Sequence, residues 1–443
     1  MSNTVLQDPT PVELVRLKRW RMSVFWVCLV GYIGYYLCRK NLSAAFPLMT
    51  EVFGYTNSQL GLIAFYSELA YALGKIINGP LADKFGGRKL FLTGMIGAIT
   101  CNILFTQGTT LTYFIVVWCV CRYFLAMGWG GLVKMIGHWY EPERNGTIMG
   151  FISLNFQFGG VLATLLAGFL VANGVGWQGV FFYPSLILFV IFIVSYFSSK
   201  ETPRDLIPHT NFGHSKLKPK AVLAQEEGEE EIKESPLKII KGLLAIKVFR
   251  HILLFSFLTT FLRSIFFFWT PKLLVDLGMG TANAILKSAL FPFLGCLGTI
   301  LLGWYTDNYA KNGDRAKATW VMLTGLIASL LGVVYCIQVG GMNDTIVILL
   351  GACGFFLLGP YSMSSGCLTL DIAGPNGAGS ASGMIDFLGY VGGSIAVWGA
   401  GKLSDVFGWG EVFQVLAVTA TLATFSAWMM SREYQRRSKE TNA

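Results

Sequence analysis

The sequence reads GPLADKFGGRK at residues 79–89 and GWYTDNYAK at residues 303–311. In both stretches a glycine at the end of an apolar run is followed four residues later by an aspartate, and the second lies 224 positions after the first. Arg39 and Arg263, each within an apolar run, are separated by the same 224 positions. Three more pairs recur in the same order with offsets of 232 or 233, namely 142–146 with 375–379, 159–160 with 392–393, and 176–181 with 408–413. The chain is therefore predicted to consist of two related halves.

The composition is that of a membrane protein. Of the 443 residues, 53% are hydrophobic and only 13% are charged, whereas a soluble domain needs roughly 25% charged residues. Apolar runs of about twenty residues, each long enough to cross a hydrocarbon core, follow one another along the chain. Their backbone groups are expected to be satisfied within helices. We predict an all-α integral membrane protein, surrounded by the lipid bilayer, with twelve spans near 22–48, 59–80, 90–107, 111–136, 146–172, 178–197, 250–274, 284–305, 319–339, 345–370, 379–402 and 409–430.

One long polar stretch divides these spans into six and six. Residues 201–248 combine the closely spaced Lys216, Lys218 and Lys220 with an acidic run at 226–231, a composition that favours a solvated connector over a folded domain. The predicted organisation is an N-terminal six-helix bundle over 1–200, a cytoplasmic linker over 201–248 and a C-terminal six-helix bundle over 249–443. The two bundles are expected to be related by pseudo-symmetry.

The distribution of Lys and Arg predicts the orientation. Basic residues lie at 16–21, 84–89, 311–317 and 432–439, whereas the opposite loops near 50–58, 106–112, 172–178 and 340–345 contain none. Cytoplasmic loops carry the excess of Lys and Arg, so both termini are expected in the cytoplasm of a cell whose inner membrane holds the protein. The net charge of +9 is explained by this pattern and does not indicate nucleic-acid binding.

Charged residues within the predicted spans are the candidate functional residues, because a charge at mid-bilayer costs at least about 2.5–3.5 kcal/mol and usually faces a cavity or a partner. Cations outnumber anions five to three, so pairing inside the bundle cannot neutralise them all, and an anionic ligand is the simplest completion. The set consists of Arg39, Lys40, Glu68, Lys75, Arg122, Arg263, Asp371 and Asp386.

Arg39 and Arg263 are the leading candidates, since the repeat makes them counterparts on spans one and seven. Two guanidinium forks suit a tetrahedral phosphate, which offers more acceptors than a carboxylate. The alternative is that each pairs with Asp371, Asp386 or Glu68.

Several other charged residues are predicted to have gating or structural roles. Glu68 could engage either Lys75 or Arg122, and Arg122 is favoured as structural. At the ends of spans two and eight, Asp83 and Asp307, with Arg88 nearby, are expected to latch one conformation at the cytoplasmic face. The alternative is that this motif is a topology signal alone.

No other chemistry is indicated. The four histidines have no metal-ligand spacing, and the sequence contains no phosphate-binding loop of the G-x-x-x-x-G-K-[ST] form. Nothing suggests covalent catalysis. We therefore expect a non-enzymatic protein without metal or cofactor.

The motifs resemble those of the organophosphate:phosphate antiporters of the major facilitator superfamily. The segment YYLCRKN at 35–41 is similar to the Y-Y-x-x-R-K-N of helix one in that family. Other matching segments are LAYALGK at 69–75, MGW at 127–129, HW at 138–139, LR at 262–263 with WTP at 269–271, and GYVGGS at 389–394. The resemblance covers nearly the whole chain outside the linker and implies the major facilitator fold.

The resemblance also implies roles for individual residues. Arg39 and Arg263 would bind phosphate, and Lys75 would assist. Tyr35 and Tyr36 would line the site. We add Lys40, the neighbour of Arg39, to the predicted substrate-binding residues. The family histidine in helix five is replaced by Asn155, which can hydrogen-bond a ligand but cannot change charge. The family glutamate in helix eight is replaced by Pro292, and Asp386 is an extra charge that could pair with Lys40.

The implied function is transport of a phosphorylated small molecule, such as glycerol 3-phosphate or a sugar phosphate, in exchange for inorganic phosphate by a monomer. Two alternatives remain open. One is a membrane sensor of sugar phosphate that signals to a partner kinase. The other is a cation-linked carrier of an unphosphorylated solute, in which the arginines form only structural pairs.

Overall fold

Helices make up nearly all of the structure. The computed structural model describes residues 10–140, 148, 151–152, 155–207, 244–309, 315–341, 343–364 and 367–441, with their side chains except at 83, 307, 315, 364, 367–380, 434 and 437–441. The helices are α1 Pro11–Phe53, α2 Asn57–Phe85, α3 Gly87–Phe105, α4 Leu111–Trp139, α5 Asn155–Ala172, α6 Trp177–Ser198, α7 Lys247–Asp276, α8 Thr281–Ser288, α9 Leu290–Tyr309, α10 Arg315–Val339, α11 Asn343–Ser364, α12 Cys367–Phe407 and α13 Trp409–Thr441. A short 3₁₀ turn occupies Pro203–Asp205.

The prediction of an all-α membrane protein is confirmed. Within the described ranges, eleven helical segments are long and apolar enough to cross a membrane, and α8 and α9 together form one of them, Thr281–Thr306. The 41-residue α12 is a further long helix. The predicted linker is only partly covered, because residues 208–243 lie outside the described ranges. The domain boundaries therefore remain predictions.

Two predicted helix boundaries are wrong. The first helix begins at Pro11, well before the predicted span, because Thr10 and Glu13 form a capping box that satisfies the first backbone N–H groups. The second error concerns the stretch 367–378, which the apolar pattern divides between the span at 345–370 and a turn. It belongs instead to the continuous helix α12, since tertiary context readily overrides the low helix propensity of glycine and proline.

The two halves meet through helices that the repeat relates to one another. α1 packs against α7, α2 against α12, and α5 against α8 and α9. In the repeat, α2 corresponds to α8 with α9, and α5 corresponds to α12. The contact between α2 and α12 is therefore the symmetry mate of the contact between α5 and α8–α9, as expected for pseudo-symmetric bundles.

Close helix packing inside each half depends on glycine. A Cβ at Gly298 of α9 would collide with the backbone of Phe355 in α11, and a Cβ at Gly354 of α11 would collide with the backbone of Phe291 in α9. The two helices approach so closely because small residues remove the side chains between them.

Candidate ligand site between the two halves

The two arginines related by the repeat lie at the interface between the halves. Arg39 on α1 and Arg263 on α7 are only 4% and 6% exposed. Their guanidinium carbons lie 5.6 Å and 5.2 Å from the centroid of the same ring, that of Phe267. The structure thus brings them to one place from opposite halves, as the repeat predicts.

Tyrosines, rather than carboxylates, surround these arginines. Arg39 donates from Nη1 to the hydroxyl of Tyr71 at 3.2 Å and from Nη2 to the hydroxyl of Tyr390 at 3.4 Å. The guanidinium of Arg263 lies 4.6 Å from the ring centroid of Tyr361. Among the described side chains, no carboxylate lies within ion-pair distance of either arginine. Arg39 and Arg263 therefore have no anionic partner among the described side chains.

Lys40 adds a third cation beside them. It is 7% exposed, donates to the backbone carbonyl oxygen of Phe267, and lies 4.0 Å from the centroid of that ring. The suggested pairing of Lys40 with Asp386 is wrong, because Asp386 contacts Lys75 instead, with Nζ and Oδ2 2.8 Å apart.

Arg263, Lys40 and Tyr36 line a small cavity of about 30 Å³ between the halves. Space of this size holds one or two water molecules, so the site is contracted in this conformation. Its wall also includes Gln157, whose amide nitrogen donates to Thr299 Oγ1 at 2.7 Å across the halves, and Pro292. Cations and amide groups in a closed apolar setting can hold an anion by charge-assisted hydrogen bonds.

Two other predicted site residues, Tyr35 and Asn155, do not line this cavity. The hydroxyl of Tyr35 donates to the carbonyl oxygen of Phe91 at 2.5 Å, and its ring packs against Gly128. Tyr35 thus faces the core of the N-terminal half rather than the cavity, because adjacent residues of a helix point in different directions. Asn155 is 1% exposed, and neither polar atom of its amide has a hydrogen-bond partner among the described residues.

Glu68 and Arg122 form a buried ion pair within the N-terminal half, with side chains only 2% and 1% exposed. The guanidinium of Arg122 lies 4.3 Å from the ring centroid of Tyr71, and that of Arg39 lies 4.4 Å from the same centroid. Arg122 of this ion pair therefore packs against Tyr71 from within the N-terminal half, while Arg39 contacts Tyr71 at the interface between the halves.

The predicted cytoplasmic latch is only partly covered, because the side chains of Asp83, Asp307 and Asp371 lie outside the described set. The Arg88 side chain donates from Nη2 to the carbonyl oxygen of Tyr196 at 2.6 Å and from Nε to Ser199 Oγ at 3.0 Å. These contacts fasten α3 to the end of α6 within one half. They do not connect the two halves.

Glu201, which the sequence analysis does not identify, binds the start of α3 next to Arg88. Glu201 accepts hydrogen bonds from the backbone N–H groups of Gly87 and Arg88, at 2.7 Å and 2.8 Å, at the start of α3. Burial alone would raise the pKa of Glu201, but these bonds and the neighbouring His138 outweigh it and hold the pKa below its ordinary value. The free N–H groups of a helix N-terminus attract such an anion.

The halves are also joined at the helix ends that the predicted topology places on the extracytoplasmic side. Asp405, near the end of α12, accepts from the backbone N–H groups of Asn57 and Ser58 at 3.0 Å and 2.6 Å. Thr281 donates to the carboxylate of Glu51 at 3.2 Å. Asp405 caps the N-terminus of α2 from the opposite half, so this end of the interface is closed.

Sequence reasoning also missed Tyr71, Tyr390 and Gln157. Tyr71 and Tyr390 lie within quoted family motifs, but neither was given a role. A signal was available, since Tyr71 follows Glu68 by three residues and precedes Lys75 by four, which places all three on one helix face.

Comparison with known proteins agrees with this architecture. Residues 28–313 match the family model described as Major Facilitator Superfamily. A glycerol-3-phosphate transporter of Bacillus subtilis (strain 168) is 30% identical over 92% of this chain and 91% of its own length. The chain belongs to the organophosphate:phosphate antiporter family of this superfamily.

Other members of the superfamily are similar to the chain at lower identity. A probable hexose phosphate transport protein of Chlamydia muridarum is 27% identical over 98% of this chain and 96% of its own length. The membrane sensor protein UhpC of Escherichia coli (strain K12) is 24% identical over 92% of this chain and 91% of its own length. Among solved structures, a D-xylose-proton symporter has a TM-score of 0.71 at 15% identity, covering 92% of this chain and 97% of its own.

Proposed function

We propose that this protein transports a phosphorylated small organic molecule, glycerol 3-phosphate or a sugar phosphate, in exchange for inorganic phosphate. The observation that carries the proposal is the pair of buried arginines, contributed by equivalent helices of the two halves and surrounded by aromatic side chains. A buried cation with no anion beside it is costly, so the site gains most from a ligand that brings negative charge. The relatives whose names include glycerol 3-phosphate and hexose phosphate support the same class of ligand.

Exchange follows from the same electrostatics. Among the described side chains, Arg39, Arg263 and Lys40 have no carboxylate beside them, and moving uncompensated cations through a low-dielectric interior is unfavourable. A bound phosphate or organophosphate removes most of this cost. The empty carrier should therefore reorient slowly and the loaded carrier quickly, which couples outward movement of phosphate to inward movement of substrate.

Alternating access is supported by the way the halves meet. Asp405 and Thr281 close one end of the interface, and the cavity lined by Tyr36, Lys40 and Arg263 is too small for an organophosphate. The ligand must therefore enter by separation of α1, α2 and α5 from α7, α12 and α8–α9. We further propose that the termini are cytoplasmic, that the membrane is the inner membrane, and that the transport unit is a monomer.

Purified protein reconstituted into proteoliposomes loaded with radiolabelled phosphate tests this function. We expect efflux of label when glycerol 3-phosphate or a hexose 6-phosphate is added outside, and none when glycerol or glucose is added. Folded protein that releases no label with any organophosphate would disprove the exchange.

A second candidate is supported by the similarity to the sensor protein UhpC. A sensor would bind the organophosphate with the same arginines but would turn over slowly or not at all. Binding of labelled organophosphate by detergent-solubilised protein, together with absent exchange in proteoliposomes, would favour this alternative.

A further inference from the structure

An ion pair joins the two halves beside the arginine site. Lys75 of α2 and Asp386 of α12 lie 2.8 Å apart, and their side chains are 17% and 21% exposed. The other described ion pairs each lie within one half, as Arg122–Glu68 does in the N-terminal half and Lys287–Asp344 does in the C-terminal half. Within the described side chains, Lys75–Asp386 is thus the ionic contact that must break when α2 and α12 separate.

The pair lies one helical turn from the tyrosines that hold Arg39. Tyr71 precedes Lys75 by four residues on α2, and Tyr390 follows Asp386 by four residues on α12. The two tyrosine rings cross the interface at a centroid distance of 4.8 Å, and Lys75 Nζ lies 5.8 Å and 6.0 Å from their centroids. Counted from the closed ends of α2 and α12, Lys75 and Asp386 are deeper than Tyr71 and Tyr390 by about 6 Å, so the ion pair lies on the far side of the site.

Lys75 therefore has two possible anionic partners, the carboxylate beside it and a ligand held by the arginines. A partly exposed ion pair contributes only about 0–1 kcal/mol, so a dianion at short distance can compete for the ammonium. The flexible four-carbon stem of lysine allows this movement. Asp386 would then be left without its cation next to a dianion, and like charges at close range repel each other.

We propose that Lys75–Asp386 is a latch displaced by the phosphate dianion. In the empty protein it holds α2 against α12 on the cytoplasmic side of the site. When phosphate binds to Arg39 and Arg263, Lys75 exchanges Asp386 for the phosphate, and the freed carboxylate drives α12 away. Asp386 thereby makes opening depend on a ligand that carries two negative charges. This inference rests on the proposed function and assigns a trigger to the same site.

The latch can be tested by measuring the separation of the halves at their cytoplasmic ends. Nitroxide labels on ketone-bearing amino acids at Lys84 of α2 and Asn308 of α9, both exposed, leave the native cysteines in place. Pulsed electron spin resonance then gives the distance distribution in lipid nanodiscs. We expect inorganic phosphate to shift the wild-type distribution to longer distances, and Asp386→Asn to raise the long-distance population without phosphate by up to about fivefold.

Two further variants keep the test decisive if Asp386→Asn folds poorly. Lys75→Gln should produce the same rise without phosphate, and the double variant should go no further than either single change, because both remove one interaction. Asp344→Asn, which removes an ion pair within the C-terminal half, is the matched control and should leave the distribution unchanged. Asp386→Asn should also tighten phosphate binding, by roughly fivefold at most, because Lys75 no longer has to leave a partner.

Distances in Asp386→Asn and Lys75→Gln that match those of the empty wild type would overturn the latch. Phosphate exchange by wild-type proteoliposomes, measured in parallel, separates the two claims. Exchange with unshifted variants disproves the latch and leaves the proposed function intact. Wild-type protein that neither binds nor exchanges phosphate disproves the proposed function, and displacement by phosphate with it.

Discussion

Replacing Arg263 by Lys tests the arginine site while keeping its charge. The guanidinium can present two parallel donors to a phosphate, whereas an ammonium is a point charge that cannot reproduce the fork. Each hydrogen bond to a charged group contributes about 1.5–3 kcal/mol. Losing one of them should therefore raise the dissociation constant for inorganic phosphate about 10- to 150-fold.

Equilibrium binding of radiolabelled phosphate to purified Arg263→Lys measures this effect directly, with exchange in proteoliposomes as a second readout. Arg432→Lys is the matched control, because Arg432 is exposed and lies away from the interface between the halves. Its guanidinium carbon is 3.9 Å from the ring centroid of Trp428. The control should bind phosphate like the wild type. Unchanged affinity in folded Arg263→Lys, or an equal loss in Arg432→Lys, would refute the assignment of Arg263 to the ligand.

Three further predictions concern stability. Glu68→Gln leaves Arg122 buried without its anion and should lower the free energy of unfolding by about 3–5 kcal/mol. Denaturation in mixed micelles measures this free energy. A decrease of about 1 kcal/mol or less, as for an exposed ion pair, would contradict the prediction. Glu201→Gln should lower the apparent melting temperature at neutral pH, and this deficit should shrink as the pH falls below 4.5, because a carboxylate with a lowered pKa stabilises the fold fully above its ordinary value of 4.5 and loses that contribution as the pH falls through the lowered pKa. A deficit independent of pH would count against it. Gly354→Ala should cost about 1–3 kcal/mol by overpacking α11 against the backbone of Phe291, and a melting temperature equal to that of the wild type would show that the helices can separate freely.

The fold was predictable because it depends mainly on the length of the apolar runs and on the repeated motifs, both of which can be read from the sequence. Apolar runs long enough to span a bilayer can satisfy their backbone only as helices, and the matched motifs around Asp83 and Asp307 reveal two halves. What could not be predicted were details that depend on local capping or on context, such as the start of α1 at Pro11, directly after its cap Thr10, and the continuity of α12 through Pro375.

The candidate site was partly predictable for the same reason. A repeat maps equivalent residues onto equivalent positions, so Arg39 and Arg263 could be placed opposite each other from their spacing alone. The direction of neighbouring side chains could not be assigned in this way. Tyr35 and Tyr36 are adjacent in sequence, yet the first bonds to Phe91 in the N-terminal half and the second lines the cavity.

The sequence by itself determined the membrane setting, the two related halves and the excess of buried cations, since each depends on which residues are present and how far apart they are. Only the tertiary structure decided which charges are neutralised. Glu68 could have engaged Lys75 or Arg122, and Asp386 could have engaged Lys40 or one of the arginines, yet Asp386 pairs with Lys75. The choice depends on distances of a few ångström between helices far apart in sequence, because the attraction between two charges in a low-dielectric interior falls steeply as they move apart or become solvated.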